Sequence, residues 1–165
     1  MTHTYGEKEL YNITINKLEE RGVAIDDIAE LVMELQGRYT DELTMEFCKE
    51  NIFEVLKKRE VIHAILTGIA LDELAEEKKL PYPLQEIIET DEPLYGIDEI
   101  IPLSIVNVYG TIGLTNYGYL DKEKIGIIKE LDNKGKQGRA IHTFMDDLVS
   151  AIAASAASRI AHATE

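Results

Sequence analysis

Thr143-Phe144-Met145-Asp146-Asp147-Leu148-Val149-Ser150-Ala151-Ile152-Ala153-Ala154-Ser155-Ala156-Ala157-Ser158 holds only two charged residues, and they are adjacent. Wound as a helix at about 100° per residue, Asp146 lies above Ser150, Ala153 and Ala157, and Asp147 lies above Ala151, Ala154 and Ser158. No polar face results. A helix that is apolar or small on every side is one surrounded by other elements, and small side chains let neighbouring backbones come close. The segment therefore reads as the central helix of a bundle, with two acids near its N-terminal end. The ordinary alternative is that Thr143 caps the helix while both acids favour its positive end from solvent. A deep carboxylate pair is instead the pattern of a functional site.

Upstream, the pattern is helical nearly throughout. Ile25–Gln36 has apolar residues at helical spacing, acids in its first turn and Gly37 as a stop. Thr40 or Asp41 is placed to cap a next helix running through Phe47, Phe53 and Leu56, closed or interrupted at Lys57-Lys58-Arg59. From Glu60 the positions Val61, Ile62, Ile65, Leu66, Ile69 and Leu74 continue a helix to Lys78-Lys79. Pro81-Tyr82-Pro83 is punctuation before a short helix at Leu84–Thr90. Strand signals are poor: Ile100-Ile101 and Ser104-Ile105-Val106 lack alternation and flanking hairpin turns. The expectation is an all-α fold, a single-domain helical bundle over 1–165 with an alanine-rich central C-terminal helix.

A second set of acids is misplaced in the same way. Taking Asp121–Asp132 as one helix, Asp121, Lys124, Ile125, Ile128, Leu131 and Asp132 share a side, and Lys122, Glu123, Lys129 and Glu130 form an ordinary wet face. Charges on an apolar face must be paired or metal-bound. Asp121 and Asp132 would stand about 16 Å apart on a continuous helix, too far to share an ion unless the chain breaks, for example at Gly126. Asp121 and Lys124 are one turn apart and can serve one site, or form a plain ion pair. Asp98-Glu99 is a third acidic pair, starting a helix with Pro102 in its first turn.

The 165 residues carry 31 Asp+Glu against 17 Lys+Arg, a net charge of −14. That excess argues against nucleic acid, which is bound through clustered Lys and Arg, and is compatible with divalent cations. Cys48 is the single cysteine, as expected of a reduced, cytoplasmic protein. Met1–Glu20 has no apolar run of the signal-peptide kind. No charge occurs between Glu99 and Asp121, an interval long enough to cross a bilayer. Pro102, Asn107, Gly110, Gly113, Asn116 and Gly118 interrupt it, so it reads as a buried helix followed by a Gly-rich loop, with no transmembrane segment. Gly110-Thr111-Ile112-Gly113 lacks the Gly-Lys-Ser/Thr of a phosphate loop. His63 has no ligand-spaced partner, His142 reads as a capping residue, and Cys48 reads as a core thiol.

In order and spacing, Asp98-Glu99, Asp121-x-x-Lys124 with Asp132, and Asp146-Asp147-Leu148-Val149-Ser150-Ala151 resemble the phosphatidylglycerophosphatase A family, in particular its soluble, YutG-like branch. The resemblance covers residues 59–162 and leaves the N-terminal helices of 1–58 outside it. Ile125 stands where the family has proline, and Gly138-Arg139-Ala140-Ile141-His142 replaces a glycine-rich stretch. The Pro-Gly-Thr-x-Gly-Ser element and the membrane-spanning segments of other members have no counterpart.

The resemblance implies a central helix ringed by others and a Mg²⁺-dependent (or Mn²⁺-dependent) phosphomonoester hydrolase acting on phosphatidylglycerophosphate. Asp98, Glu99, Asp121, Asp146 and Asp147 are the implied metal ligands, with Asp98, Asp121, Lys124, Asp146 and Asp147 catalytic. Lys124 and Arg139 are the expected phosphate-holding residues. Two other readings stand beside it: a phosphatase of small water-soluble phosphate esters, and a non-catalytic helical oligomerisation or binding module that kept the fold. A homo-oligomer is expected in either case, in the cytoplasm or peripheral to the membrane.

Overall fold

The computed structural model describes residues 4–163; 1–3 and 164–165, the ends of the expected single-domain span, lie outside the described residues. Chain order gives α1 (Glu7–Glu20), α2 (Ile25–Gln36), α3 (Met45–Leu56), α4 (Arg59–Glu76), α5 (Leu84–Glu89), α6 (Ile97–Val106), a 3-10 turn at Asn107–Tyr109, α7 (Gly110–Glu123), α8 (Gly126–Lys136) and α9 (Met145–Ala163). No strand occurs among the described residues, and the fold is all-α.

The alanine-rich segment is the centre of the bundle. Every residue of α9 from Met145 to Ser158 is buried, together with Ile160, and α7, α3, α6 and α2 pack against it. With Ala at 151, 153, 154, 156 and 157, neighbouring helices come near on all sides. Fully buried Leu148 and Ile152 each stabilise by about 1.5–3 kcal/mol. Gly68 sets the approach of α4: a Cβ there would stand 2.7 Å from Leu148 Cδ1 and 3.2 Å from Phe144 Cβ. Cys48 is fully buried, and burial pushes its thiol up to about 11, as fits an inert core residue.

Several boundaries differ from expectation. The α3 cap is Thr44, whose Oγ1 accepts from the Phe47 amide at 3.2 Å, rather than Thr40 or Asp41. Thr44 is the oxygen-bearing residue immediately before the buried stripe of Cys48, Ile52 and Val55. Pro102 falls in the second turn of α6, because the helix begins at Ile97.

The Gly-rich loop expected after α6 is the helix α7. Gly110, at φ +75°, bends the chain there, and burial of Gly113, Tyr117 and Leu120 against the core overrides the weak helix propensity of the sequence. By length and composition alone, residues 97–123 would span a bilayer; the run is interrupted by the 3-10 turn, and α6 is not the buried helix expected, since Pro102, Ile105 and Val106 are its buried residues while Ile97 and Ile100 are exposed.

The stretch Asp121–Asp132 is not one helix. Lys124 closes α7 in the left-handed region, at φ 46° and ψ 64°, and Ile125 is extended before α8 begins. The break turns α8 through a corner, so Ile127, Ile128 and Leu131 are buried while Asp132 pairs with Lys136 at 2.6 Å.

Candidate functional site

The N-terminal end of α9 is held by a strap of five residues, 141–145, tied to Glu76, Arg21, Ile88 and Asp72. Glu76 accepts from the Ile141 amide at 2.9 Å, and Arg21 donates to the Ile141 carbonyl at 2.7 Å. Arg21 also forks onto Glu76, at 2.9 and 2.7 Å, and lies 3.3 Å from His142 Nδ1. Burial first, then the Arg21 charge, lowers the His142 pKa to about 4. The ring is neutral and Nδ1 accepts. Thr143 Oγ1 donates to the Ile88 carbonyl at 2.6 Å. Asp72, fully buried on α4, accepts from Phe144 N at 3.1 Å and Met145 N at 3.0 Å.

Asp72 therefore caps α9 from another helix, and neither Thr143 nor His142 does so. The expected caps are already engaged with Ile88 and Arg21, whereas Gly68, Asp72 and Glu76 form one stripe along α4 that faces the strap. Asp72 was detectable in principle. It lies at helical spacing from Ile65 and Ile69, an acid on an apolar stripe like Asp146 and Asp147 on theirs.

The strap sets Asp146 and Asp147 on the first turn of α9, where they are 8 % and 4 % exposed. They are buried, as the reading of the central helix expected, and not solvated. Lys124 Nζ lies 3.1 Å from Asp146 Oδ2 and 3.4 Å from Asp121 Oδ1. Burial opposes the Lys124 charge, but Asp146, by field and hydrogen bond, and then Asp147 and Asp121 outweigh it and raise the lysine pKa. Asp146 Oδ1 accepts from the Asp147 amide at 2.9 Å.

Asp147 is the strained member. Burial, then the Asp146 and Asp121 charges, raise its pKa, and the Asp121 carboxylate is within hydrogen-bonding reach of it. Its Oδ1 is buried with no partner among the described residues.

Asp98 and Glu99, in the first turn of α6, join from the third side. Burial and the Asp121 charge raise both. The Asp121 charge thus links Asp98 and Glu99 to the Asp146-Asp147 pair, and Lys124 is the ammonium paired with Asp121 and Asp146. Asp91, not anticipated from the sequence, adjoins it: the charges bearing on it include Asp98, Lys124, Asp132 and Lys136. Arg139 lies on the exposed turn after α8 and makes no ion pair among the described residues. His63 is exposed on α4 and stands apart. Beside the carboxylates opens a cleft of about 420 Å³, lined by Asp91, Asp132, Lys136, His142, Thr143 and Asp146 among others.

The donor set suits a hard divalent cation in its chemistry, since every candidate ligand offers oxygen, and the orphaned Asp147 Oδ1 supplies a lone pair that nothing else uses. Among the described residues, however, no three acids, histidines or cysteines are gathered closely enough to form a ready cage. Lys124 lies between Asp121 and Asp146, so the carboxylates would have to draw together around an ion.

Comparison with known proteins places this arrangement in context. The family model described as phosphatidylglycerophosphatase A matches residues 14–162, a span that takes in the second half of α1 and all of α2 and α3. The uncharacterized protein YpjQ of Bacillus subtilis strain 168 is 65 % identical over 158 residues, 96 % of this chain and 88 % of that protein. The uncharacterized protein YutG of the same organism is 58 % identical over 146 residues, covering 88 % and 87 %. The crystal structure of the low temperature requirement C protein from Listeria monocytogenes superposes with a TM-score of 0.92 at 56 % identity, covering 96 % of this chain and 99 % of that one.

Proposed function

We propose that this chain, which belongs to the phosphatidylglycerophosphatase A family, is a divalent-cation-dependent phosphomonoester hydrolase whose substrate is phosphatidylglycerophosphate or a closely related phosphate ester. The observation that carries the reading is the buried Asp146-Asp147 pair, one of whose oxygens is left without a partner. A fold selected for stability alone would satisfy or remove that oxygen. Family membership supplies the substrate class.

Asp98, Glu99, Asp121, Asp146 and Asp147 would hold Mg²⁺ or Mn²⁺. The ion would neutralise phosphate charge and acidify the attacking water. The protein's own groups divide the remaining work. Lys124 is half-buried, with its ammonium already between two site carboxylates, and is placed to neutralise a phosphoryl oxygen. Its backbone lies in the left-handed region, unusual for a residue with a Cβ, and its side chain reaches Asp146 on α9. Arg139, on its exposed turn, is the second candidate for the substrate's charge. One of the site carboxylates takes the proton of the attacking water. The strap of 141–145 fixes the two aspartates so that they do not turn towards solvent. On this reading the protein works in the cytoplasm or peripheral to the membrane, as a homo-oligomer.

One observation favours the non-catalytic reading: Lys124 neutralises Asp146 internally, as it would in a purely structural pair. Phosphate release from phosphatidylglycerophosphate in mixed micelles, and from a panel of water-soluble esters, separates the possibilities. Release that needs Mg²⁺ or Mn²⁺, stops with EDTA and is lost in Asp147→Asn and Lys124→Met supports the phosphatase. Turnover confined to the soluble panel moves the substrate class. No turnover of any ester leaves the non-catalytic module.

A further inference from the structure

The mechanism above leaves one buried polar group unused. Tyr117 is 5 % exposed and precedes Asp121 by one turn of α7, on the buried face that packs against α9. Its ring is part of the hydrophobic core. Its hydroxyl is buried with no hydrogen-bond partner among the described residues. After burial, the charges that bear on this phenol are the carboxylates of Asp147, Asp121, Glu99 and Asp146, in that order. These are the carboxylates of the site, and Asp147, the foremost of them, carries an orphaned oxygen of its own.

A tyrosine that only filled space here would be better as phenylalanine, because an unpartnered buried hydroxyl is a standing cost. The surrounding carboxylates need donors, and so does any phosphoryl group that enters among them. Among the described residues Lys124 is the one charged donor paired with these carboxylates, and Tyr117 is a neutral donor within their field. Burial and the negative surroundings both raise the phenol's pKa, so it keeps its proton and stays a donor.

Resting on the phosphatase reading, we propose that Tyr117 is a substrate-binding residue whose hydroxyl donates a hydrogen bond to a phosphoryl oxygen held at the carboxylate cluster. Inorganic phosphate, the product, shares this chemistry and serves as the probe.

The test compares wild type with Tyr117→Phe, both with Mg²⁺ present, by calorimetric titration with inorganic phosphate, by kcat on the same phosphate ester and by thermal melting. A hydrogen bond to a charged oxygen predicts phosphate affinity weakened by about tenfold or more, with kcat reduced at least as much. Tm should be unchanged or higher, because the variant loses an orphaned hydroxyl. Equal phosphate affinity and equal kcat in the two proteins would overturn the proposal. A lower Tm with unchanged phosphate affinity would make the hydroxyl structural and overturn it as well. If wild type neither binds phosphate nor releases it from any ester, the phosphatase reading itself fails, and this assignment with it.

Discussion

Asp72 and Asp147 are both aspartates in the middle of the bundle, 0 % and 4 % exposed, and they are treated in opposite ways. Asp72 faces two backbone amides at the start of α9 and feels the Arg21 charge. Asp147 feels the Asp146 and Asp121 charges more strongly than that of Lys124, and one of its oxygens has no partner among the described residues. Burial raises the pKa of both, so burial alone does not distinguish a structural acid from a functional one. The company does. A carboxylate kept among donors holds the fold together, and one kept among other carboxylates is held in place by the fold.

The sharpest way to break that comparison is to remove both. Asp72→Ala leaves the Phe144 and Met145 amides buried without acceptors, and should cost about 3 kcal/mol, or roughly 6–12 °C in Tm for a domain of this size. Asp147→Asn removes a carboxyl whose ionised form burial and the neighbouring Asp146 and Asp121 charges disfavour more than Lys124 favours it, and should raise stability by about 1–2 kcal/mol while abolishing cation-dependent phosphate release. The sign follows from linkage. A carboxyl that holds its proton more tightly folded than unfolded favours folding at low pH and opposes it as the pH rises through its folded value. The advantage of the Asn variant should therefore grow with pH. Denaturant melts at two pH values check both claims, and destabilisation by both substitutions would erase the distinction.

Gly68 sharpens the structural half of the comparison, since it precedes Asp72 by one turn and sets how near α4 comes to α9. A methyl group there meets Leu148 Cδ1 at 2.7 Å and Phe144 Cβ at 3.2 Å. The Leu148 contact is the end of a flexible side chain and can give; the Phe144 contact lies at the root of the strap. Gly68→Ala should cost about 2 kcal/mol by overpacking, with kcat reduced in a protein that remains helical by circular dichroism. Full stability together with full activity would show that the strap tolerates displacement.

Much of this was legible from the chain itself, and the boundary of legibility has a physical cause. The alanine-rich segment announced a central helix because no wheel position was left for solvent, and Asp146 and Asp147 followed as buried acids. Asp121 and Lys124 were paired correctly by their one-turn spacing. The Lys124–Ile125 break was not legible, because Gly126 marked a possible interruption without saying that a lysine would take the left-handed conformation before it. Tyr117 was hidden inside a stretch whose glycines read as loop, and it is packing on α9, a tertiary effect, that makes α7 a helix. Asp72 was missed differently: the period that exposed the other acids also fitted Ile65, Ile69 and Asp72. The strap's remaining partners, Arg21 and Glu76, come from distant helices, and no local pattern joins them.

The smallest effect lies at the junction of the two regions, where His142 belongs to the strap and also lines the cleft beside Asp146. Its neighbours are the Arg21 guanidinium, the Glu76 carboxylate and, farther off, Lys134, and burial with Arg21 lowers its pKa to about 4. The unfolded chain titrates this ring near pH 6.5. Between those values the unfolded state binds a proton that the folded state refuses, so the histidine's contribution is fully present above about pH 6.5 and is lost as the pH falls towards 4. Between pH 6.5 and 5.5 wild type should lose about 1 kcal/mol more stability than His142→Gln. In that variant the glutamine oxygen still offers Arg21 an acceptor. The raised carboxyls of Asp72, Asp146 and Asp147 pull the other way with pH, but they are common to both proteins and cancel in the difference. An NMR titration of the imidazole reads the same quantity directly: a midpoint near 4 keeps Arg21 and His142 as one neutral-acceptor pair, whereas a midpoint above 6 would release His142 from the strap and make it a proton donor available to the cleft.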